Sequence, residues 1–261
     1  MSVDASGRDR ARQIAVIAAT CFMLVAAMVG TGLLGGTSVQ ELQDGALAAD
    51  GSYLAPAGPA FSIWTVIYLG LIAYAVWQAL PGRASDARQR SLGWAIALSE
   101  VLNGLWLVAA QFTNLPLTVL TIALLLAVLG VAFRRVVMSS ARGWVEAVLV
   151  DGVTGLHLGW VTLATVANVS AWLTQIAPRE WVAGAEVWGL VVLVVVTLVG
   201  CGIGWMGHGR LAPAAALAWG LAWLAVGRIT AEPESLTLGI AAIVVAALIV
   251  TVTLIRRLRT R

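Results

Sequence analysis

Four strongly polar side chains interrupt apolar stretches of the sequence: Glu100, Asn103, His157 and Asn168. A charged group in the middle of a membrane helix costs roughly 2.5 to 3.5 kcal/mol on insertion scales, so each polar group there requires a partner or a cavity. At helical spacing, Glu100 and Asn103 fall on one stripe, while His157 and Asn168 share a face of a second helix. The pattern predicts two helices that turn polar faces toward the interior of a bundle.

Glu100 and His157 are the members of this set that can gain or lose a proton. One interpretation places both in a single polar pocket, where they exchange a proton. The other makes each a packing residue, with a protonated Glu100 hydrogen-bonded to a neighbouring helix. Glu100 lies roughly 12 Å from the start of its apolar run, at 1.5 Å per residue, which is near mid-membrane. We favour the pocket for Glu100 and packing for His157.

Three of the 12 tryptophans, Trp64, Trp106 and Trp160, lie on predicted helices that also carry polar residues. An indole ring with its polar N–H inside a bundle suits a flat, partly polar aromatic ligand. Core packing explains any one of them equally well, but three together favour a pocket. Three other tryptophans fall at predicted membrane interfaces, where an aromatic belt is the usual explanation: Trp144, Trp181 and Trp205.

Enzyme signatures are missing from the sequence. It contains no His-Glu-x-x-His, no Gly-x-Ser-x-Gly, no phosphate loop and no Cys-x-x-Cys pattern. Two histidines cannot form a multi-histidine metal centre, and ligation of a haem by His157 alone has no further support. We therefore expect a protein that is not an enzyme and has no metal site.

The elements that must position these residues are membrane helices. The 261 residues are 60% hydrophobic and 11% charged, with a mean hydropathy of +0.92. Soluble domains carry roughly 25% charged residues, and a membrane helix needs about 20 mostly apolar residues. The sequence predicts an all-α polytopic membrane bundle with eight transmembrane helices, at residues 13–36, 60–80, 92–112, 115–137, 145–173, 182–205, 211–226 and 236–255.

Arginine sets the predicted orientation, because all 16 basic residues are arginines. An N-terminus in the cytoplasm places 14 of them on the cytoplasmic side and leaves only Arg179 and Arg228 outside. This positive-inside bias predicts that both termini are cytoplasmic. The arginines lie at helix ends, where they attract anionic lipid headgroups, and they do not form the single patch typical of nucleic-acid binding. The arginine-only, Ala-, Val- and Gly-rich composition suggests a GC-rich bacterial genome, so the membrane we expect is the bacterial cytoplasmic membrane.

Four further charged residues lie near the ends of predicted helices. Glu146 and Asp151 lie close to the predicted cytoplasmic interface, so we expect both to be solvated. Glu186 and Arg228 lie near the outer ends of their helices. There they either pair with each other or extend toward water along the apolar surface.

The longest predicted outer loop, residues 37–59, is long enough to cover the outer mouth of a bundle. Pro56 and Pro59 stiffen the chain where it re-enters the membrane. Glycines four residues apart allow two helices to approach closely, which we interpret as packing within the bundle. A homodimer formed through such a face is the alternative. The pairs are Gly32 with Gly36, and Gly200 with Gly204.

Three segments, in order along the chain, resemble the tryptophan-rich sensory protein family, also known as the TspO, translocator protein or peripheral benzodiazepine receptor family. Phe-Ser-Ile-Trp-Thr-Val-Ile-Tyr at 61–68 resembles the start of its second helix. Leu-Asn-Gly-Leu-Trp at 102–106 resembles its Asn-x-x-Trp element in helix three. Residues 160–168 carry the Trp-x-x-x-Ala-x-x-x-Asn element of its fifth helix. The order and separation of the three are more specific than any one alone.

The resemblance implies a five-helix bundle with a ligand pocket capped by the loop after helix one. Its members bind tetrapyrroles such as protoporphyrin and haem, and some bind sterols or synthetic aromatic drugs. The division it implies is a cytoplasmic tail at 1–12, a TspO-like bundle at 13–173, and three additional helices with a basic tail at 174–261. The ligand-binding candidates carried over by motif are Trp64, Tyr68, Asn103, Trp106, Trp160, Ala164 and Asn168.

The chain also departs from the family pattern. It has three further helices, its 37–59 loop contains no tryptophan, and Glu100 and His157 are not part of the motif. We expect a TspO-like protein that binds a flat hydrophobic ligand, such as a porphyrin or haem, for sensing, buffering or transfer. Two alternatives stay open at this point: a proton-coupled transporter that uses Glu100 and His157, and a membrane assembly protein whose additional helices dock a partner.

Overall fold

The computed structural model describes residues 6–182 and 184–260, and every regular element within them is helical. Eight helices are long and apolar enough to cross a membrane. This confirms the predicted all-α bundle and its eight spans. The helices are α1 (Gly7–Gly30), α2 (Gly58–Ala79), α3 (Ala87–Phe112), α4 (Leu115–Val137), α5 (Trp144–Ile176), α6 (Ala185–Met206), α7 (Leu211–Thr230) and α8 (Leu236–Arg259).

Two helices begin earlier than their apolar runs because side chains cap polar first turns. The hydroxyl of Ser6 accepts the backbone N–H of Asp9, and the carboxylate of Asp9 accepts the backbone N–H of Ser6. This reciprocal capping box starts α1 at Gly7. Residues 7–12 therefore belong to the first helix, and residues 1–5 of the predicted tail lie outside the described residues. The side chain of Asp86 caps α3 by accepting the backbone N–H groups of Arg88 and Gln89.

The first predicted glycine pair is not on a helix, so its interpretation as a helix-packing face is wrong. Helix α1 ends at Gly30. Gly32 lies in the following turn with a φ of +80°, a left-handed conformation that glycine adopts readily because it has no Cβ. The second pair does pack inside the bundle. A Cβ on Gly200 would lie 2.5 Å from Ile249 of α8, and the space beside Gly204 is occupied by Thr253 of the same helix.

The first five helices form a closed ring. Helix α1 packs against α2 and α3, α3 packs against α4, α4 against α5, and α5 against α2. Each helix therefore has two neighbours in the ring, and buried side chains from the five helices fill its interior. This arrangement matches the five-helix bundle that the resemblance implied.

Helices α6, α7 and α8 form a second unit beside the ring. Helix α7 packs against α5, and α8 packs against α7 and α6. Glycines permit the close approach of α5 and α7, because a Cβ on Gly159 would overlap the backbone carbonyl of Pro213. A Cβ on Gly155 would lie 2.9 Å from Cδ of the same proline. Gly220 of α7 faces Leu163 of α5 with no room for a side chain.

A buried ion network closes the end of the bundle at which α1, α3, α5 and α7 begin, here called the Arg-rich end. The guanidinium of Arg88 pairs with Glu146, at 3.0 Å, and with Asp151. Arg210, at the start of α7, pairs with the second oxygen of Asp151 at 2.6 Å. Glu146 and Asp151 are 3% and 11% exposed, so the prediction that they are solvated is wrong. Their partner lies on another helix, which the sequence could not show.

Glu186 and Arg228 do not pair with each other, so that part of the prediction is also wrong. The carboxylate of Glu186 accepts a hydrogen bond from the hydroxyl of Ser235 at 2.7 Å. Arg228 is 1% exposed and donates to backbone carbonyls, so it does not extend toward water either.

Candidate functional site

Loop 37–59 covers a narrow cavity at the end of the ring opposite the Arg-rich end. The cavity measures about 40 Å³ and lies between α2, α3, α4 and α5. Five of the seven ligand-binding candidates line it: Trp64, Trp106, Trp160, Ala164 and Asn168. The loop contributes Val39, Ala46, Leu47, Ala48, Ala55 and Pro56, and the helices add Phe61, Ile122 and Ala167.

Aromatic rings form one wall of the cavity. Trp64 and Trp160 meet edge to face, with their ring centroids 6.1 Å apart and the planes at 85°. Phe61 meets Trp160 in the same way at 5.7 Å. On its other side Trp64 stacks on Tyr68, with centroids 5.1 Å apart and planes at 28°. These are favoured aromatic geometries, so the rings of the wall pack closely against one another.

Tyr68 and Asn103, the remaining two candidates, lie beneath the cavity and join a buried hydrogen-bonded chain. The Tyr68 hydroxyl donates to Oδ1 of Asn103 at 3.4 Å, and Nδ2 of Asn103 is 3.3 Å from Nε2 of His157. With the amide as donor, Nε2 accepts and the neutral ring carries its proton on Nδ1. The His157 ring also meets Trp64 edge to face at 5.8 Å. His157 therefore supports the floor of the cavity.

The indole nitrogens of the cavity differ in whether they have a partner. Nε1 of Trp106 donates to Oδ1 of Asn168 at 3.0 Å, and the amide of Asn168 donates to the backbone carbonyl of Ala164 at 2.9 Å. The indole N–H of Trp106 and the side-chain oxygen of Asn168 thus serve as each other's hydrogen-bond partner. Trp160 is 1% exposed, and its Nε1 has no hydrogen-bond partner among the described residues. A buried donor without an acceptor is costly, and a ligand acceptor would remove that cost.

Glu100 lies apart from this site. Its side chain is fully buried and accepts a hydrogen bond from the hydroxyl of Thr20 on α1 at 2.9 Å. In the described part of the chain no hydrogen bond joins Glu100 to His157, and neither residue lines the cavity. The structure therefore gives each of the two titratable groups its own neighbours: α1 for Glu100, and Asn103 for His157.

The three tryptophans predicted at membrane interfaces are on the outside of the protein. Trp144, Trp181 and Trp205 are 78%, 55% and 47% exposed. Trp144 begins α5, and Trp205 lies at the end of α6. Their positions are those of an aromatic belt and separate them from the buried tryptophans of the cavity.

Sequence reasoning missed most of the loop side of the site. The residues that line the cavity from the loop are alanines, a leucine, a valine and a proline. Such side chains have no chemical signature, because their role depends on where the loop lies rather than on the groups they carry. The signal that was available was the length of the loop, which did predict a cover over the bundle mouth.

An aromatic cavity inside a five-helix ring, covered by the loop after the first helix, defines a TspO-like membrane protein. The sequence model of the TSPO-like protein family matches residues 12–255. The chain belongs to this family. The match includes α6, α7 and α8 as well as the ring, so the three C-terminal helices lie within the family pattern rather than beyond it. Comparisons with curated proteins and with solved structures gave no match.

Proposed function

We propose that this protein binds a flat, mostly apolar ligand, such as a porphyrin, in the loop-covered cavity, for sensing, buffering or transfer in a bacterial cytoplasmic membrane. The observation that carries the proposal is the wall of Trp64, Phe61 and Trp160 with an unpartnered buried N–H on Trp160. Ring faces stack on a planar ligand, and the free N–H can donate to an acceptor such as a carboxylate or a ring nitrogen.

The cavity must enlarge when the ligand binds. Its volume of about 40 Å³ is small beside the roughly 300 to 1,000 Å³ of typical ligand sites. The loop side is the wall with the smallest side chains, among them Ala46, Ala48 and Ala55. We therefore expect loop 37–59 to move outward on binding while the helices keep their positions, because interhelical packing resists displacement more strongly than a loop does.

Filling the cavity should weaken porphyrin binding. Ala164 lines the cavity, so Ala164→Leu adds an isopropyl group to its Cβ where the ligand ring must lie. We expect the apparent affinity for protoporphyrin IX to fall by at least about tenfold, which corresponds to about 1.4 kcal/mol. The measurement is titration of the detergent-purified protein with protoporphyrin IX, followed by tryptophan-fluorescence quenching.

The matched control is Ala127→Leu, because Ala127 is an exposed alanine on α4 and the same substitution there faces lipid. Both variants are checked for an unchanged thermal unfolding midpoint. Equal saturable quenching of the wild type, Ala164→Leu and Ala127→Leu would remove the cavity as the porphyrin site. A folded wild type that gives no saturable quenching would remove the proposed ligand class.

The observed contacts favour ligand binding over proton-coupled transport. A transport mechanism that uses Glu100 and His157 would need a connected route for the proton. The hydrogen bonds among the described residues instead direct Glu100 to Thr20 and His157 to Asn103. A structural role for Glu100, in which it joins α3 to α1, accounts for its observed contact.

A further inference from the structure

Arg228 is a fully buried cation near the loop-covered end of α7, and no carboxylate pairs with it in the described chain. Burial of an unpaired charge is expensive unless its donors are satisfied. The guanidinium group is planar and presents five N–H donors in a fixed fork. Its position must therefore be explained by the acceptors around it.

Those acceptors are backbone carbonyls from two separate segments. In loop 37–59, Arg228 donates to the carbonyls of Ala49 at 3.0 Å and Ser52 at 3.3 Å. In the turn between α7 and α8 it donates to those of Pro233 at 2.9 Å and Glu232 at 3.4 Å. One side chain thus ties the cover of the cavity to the C-terminal helices.

Helix α7 also holds the end of the loop and the first turn of α2. The backbone N–H of Ala57 donates to the carbonyl of Trp223 at 3.2 Å. Nε1 of Trp219 donates to the carbonyl of Ala60 at 2.9 Å, where the loop enters α2. Leu54, which is 3% exposed, packs into the core formed by α6, α7 and α8. The second half of the loop is therefore attached to the C-terminal unit.

The first half of the loop has a different anchor. Nε2 of Gln43 donates to the carbonyls of Ala110 and Thr113, at 3.2 and 2.9 Å, at the end of α3. Gln175 of α5 donates to the carbonyl of Gln43 at 3.3 Å. These contacts belong to the ring itself. Ala55, which lines the cavity, lies in the half that α7 holds.

Helix α7 also supports the wall of the cavity. A Cβ on Gly220 would lie 3.3 Å from Cζ3 of Trp160, and Ala216 is buried in the same core cluster as Trp160. A single helix outside the ring therefore contacts both the cover and the aromatic wall. Loss of its hold on the loop would free the cover without removing any group that lines the cavity.

We propose that Arg228 clamps loop 37–59 over the cavity, so that the C-terminal helices control access to the site. Whether Arg228 holds the loop closed does not depend on any ligand, whereas its effect on ligand exchange rests on the proposed function. Arg228 is a positioning residue, because it lies outside the cavity and acts through the loop.

The clamp is tested by the reactivity of a cysteine placed under the loop. The native Cys21 and Cys201 are replaced by alanine, and Ala55→Cys supplies a reporter that is buried in the closed loop. Labelling of the detergent-purified protein by a bulky polar maleimide is then timed with no ligand present. We expect Arg228→Gln to raise the labelling rate by at least about tenfold, since hydrogen bonds from a charged donor are among the stronger ones.

The matched control is Arg210→Gln, which removes an arginine from the opposite end of the same helix and its contact with Asp151. Its labelling rate should stay near that of the parent. Trp219→Phe removes the single hydrogen bond to Ala60, in the first turn of α2 where the loop ends, and should give a smaller increase. It provides a second test of the attachment if Arg228→Gln folds poorly. An unchanged rate in Arg228→Gln, or an equal rise in Arg210→Gln, would overturn the clamp.

Ligand exchange separates the two proposals. If the clamp and the proposed function both hold, Arg228→Gln releases bound protoporphyrin IX faster by a factor similar to its gain in labelling. If the labelling rises while the parent protein binds no protoporphyrin IX, the clamp stands and the proposed function fails. If porphyrin binds and its release is unchanged although labelling rises, control of access by the C-terminal helices is refuted.

Discussion

Replacing Arg88 by methionine should lower the free energy of unfolding by about 3 to 5 kcal/mol, the usual cost of removing one partner from a buried ion pair. Arg88 is 5% exposed and pairs with both Glu146 and Asp151. Without it, two buried carboxylates lose their cation in a region that water reaches poorly. Arg210 compensates Asp151 in part, from the start of α7, so Glu146 should bear most of the cost.

The measurement is unfolding of the purified protein in mixed micelles, compared with Arg90→Met. Arg90 lies two positions further along the same helix and pairs with Asp9, but its side chain is 40% exposed. The Asp9 carboxylate is itself 4% exposed, but Arg12 remains 3.9 Å from it when Arg90 is removed. Water also screens the exposed guanidinium of Arg90, so this control should lower stability less than Arg88→Met does. Adding Glu146→Gln and Asp151→Asn to Arg88→Met should recover part of the loss. Equal effects of Arg88→Met and Arg90→Met would contradict the network as described.

Replacing Gly159 by alanine should destabilise the contact between the ring and the C-terminal unit. The new Cβ would overlap the backbone carbonyl of Pro213 on α7, and neither backbone can move without separating the two helices. Overpacking of this kind costs about 1 to 3 kcal/mol. We expect a lower unfolding midpoint, together with faster proteolysis in the segment between α5 and α6.

The control for this substitution is Gly130→Ala on α4, where a Cβ would meet nothing within 4 Å. Alanine favours an unobstructed helix over glycine by about 0.5 to 1 kcal/mol, so the two substitutions should have opposite signs. A neutral or stabilising Gly159→Ala would show that α5 and α7 do not approach as closely as described.

The bounds of a helix were predictable where its apolar run begins next to the residue that caps it. The run 115–137 has the same bounds as α4, because the side chain of Asn114 accepts the backbone N–H of Leu117 and starts the helix where the apolar run starts. At α1 and α3 the helix extends beyond its apolar run into arginine-bearing turns. Hydropathy cannot detect those turns, because they are stabilised by Ser6 and Asp86 rather than by lipid.

The candidate site was predictable only on its helical side. The motif residues Trp64, Trp106, Trp160, Ala164 and Asn168 line the cavity together, because a motif spread over three helices constrains how those helices meet. The loop residues could not be inferred, since alanine and proline carry no chemical signature. The contacts of Arg228 could not be predicted either, because its acceptors Ala49 and Ser52 lie far away in the sequence.

Charge partners were the least predictable feature. Glu146 and Asp151 were expected to be solvated because their positions lie close to a membrane interface. Arg88, which pairs with both, lies on another helix and more than a whole transmembrane span away along the chain. A long-range pair of this kind leaves no periodic pattern in a single sequence, so burial at a helix end cannot be distinguished from exposure.

The most direct test of the ligand site is a structure of the protein bound to protoporphyrin IX. We predict that the macrocycle lies beneath loop 37–59, in van der Waals contact with Trp64 and Trp160, and that the loop has moved outward while α2, α3 and α5 keep their positions. A macrocycle bound instead in the lipid-facing groove between α1 and α3, beside Phe22 and Trp94, would contradict the assignment of the cavity as the binding site.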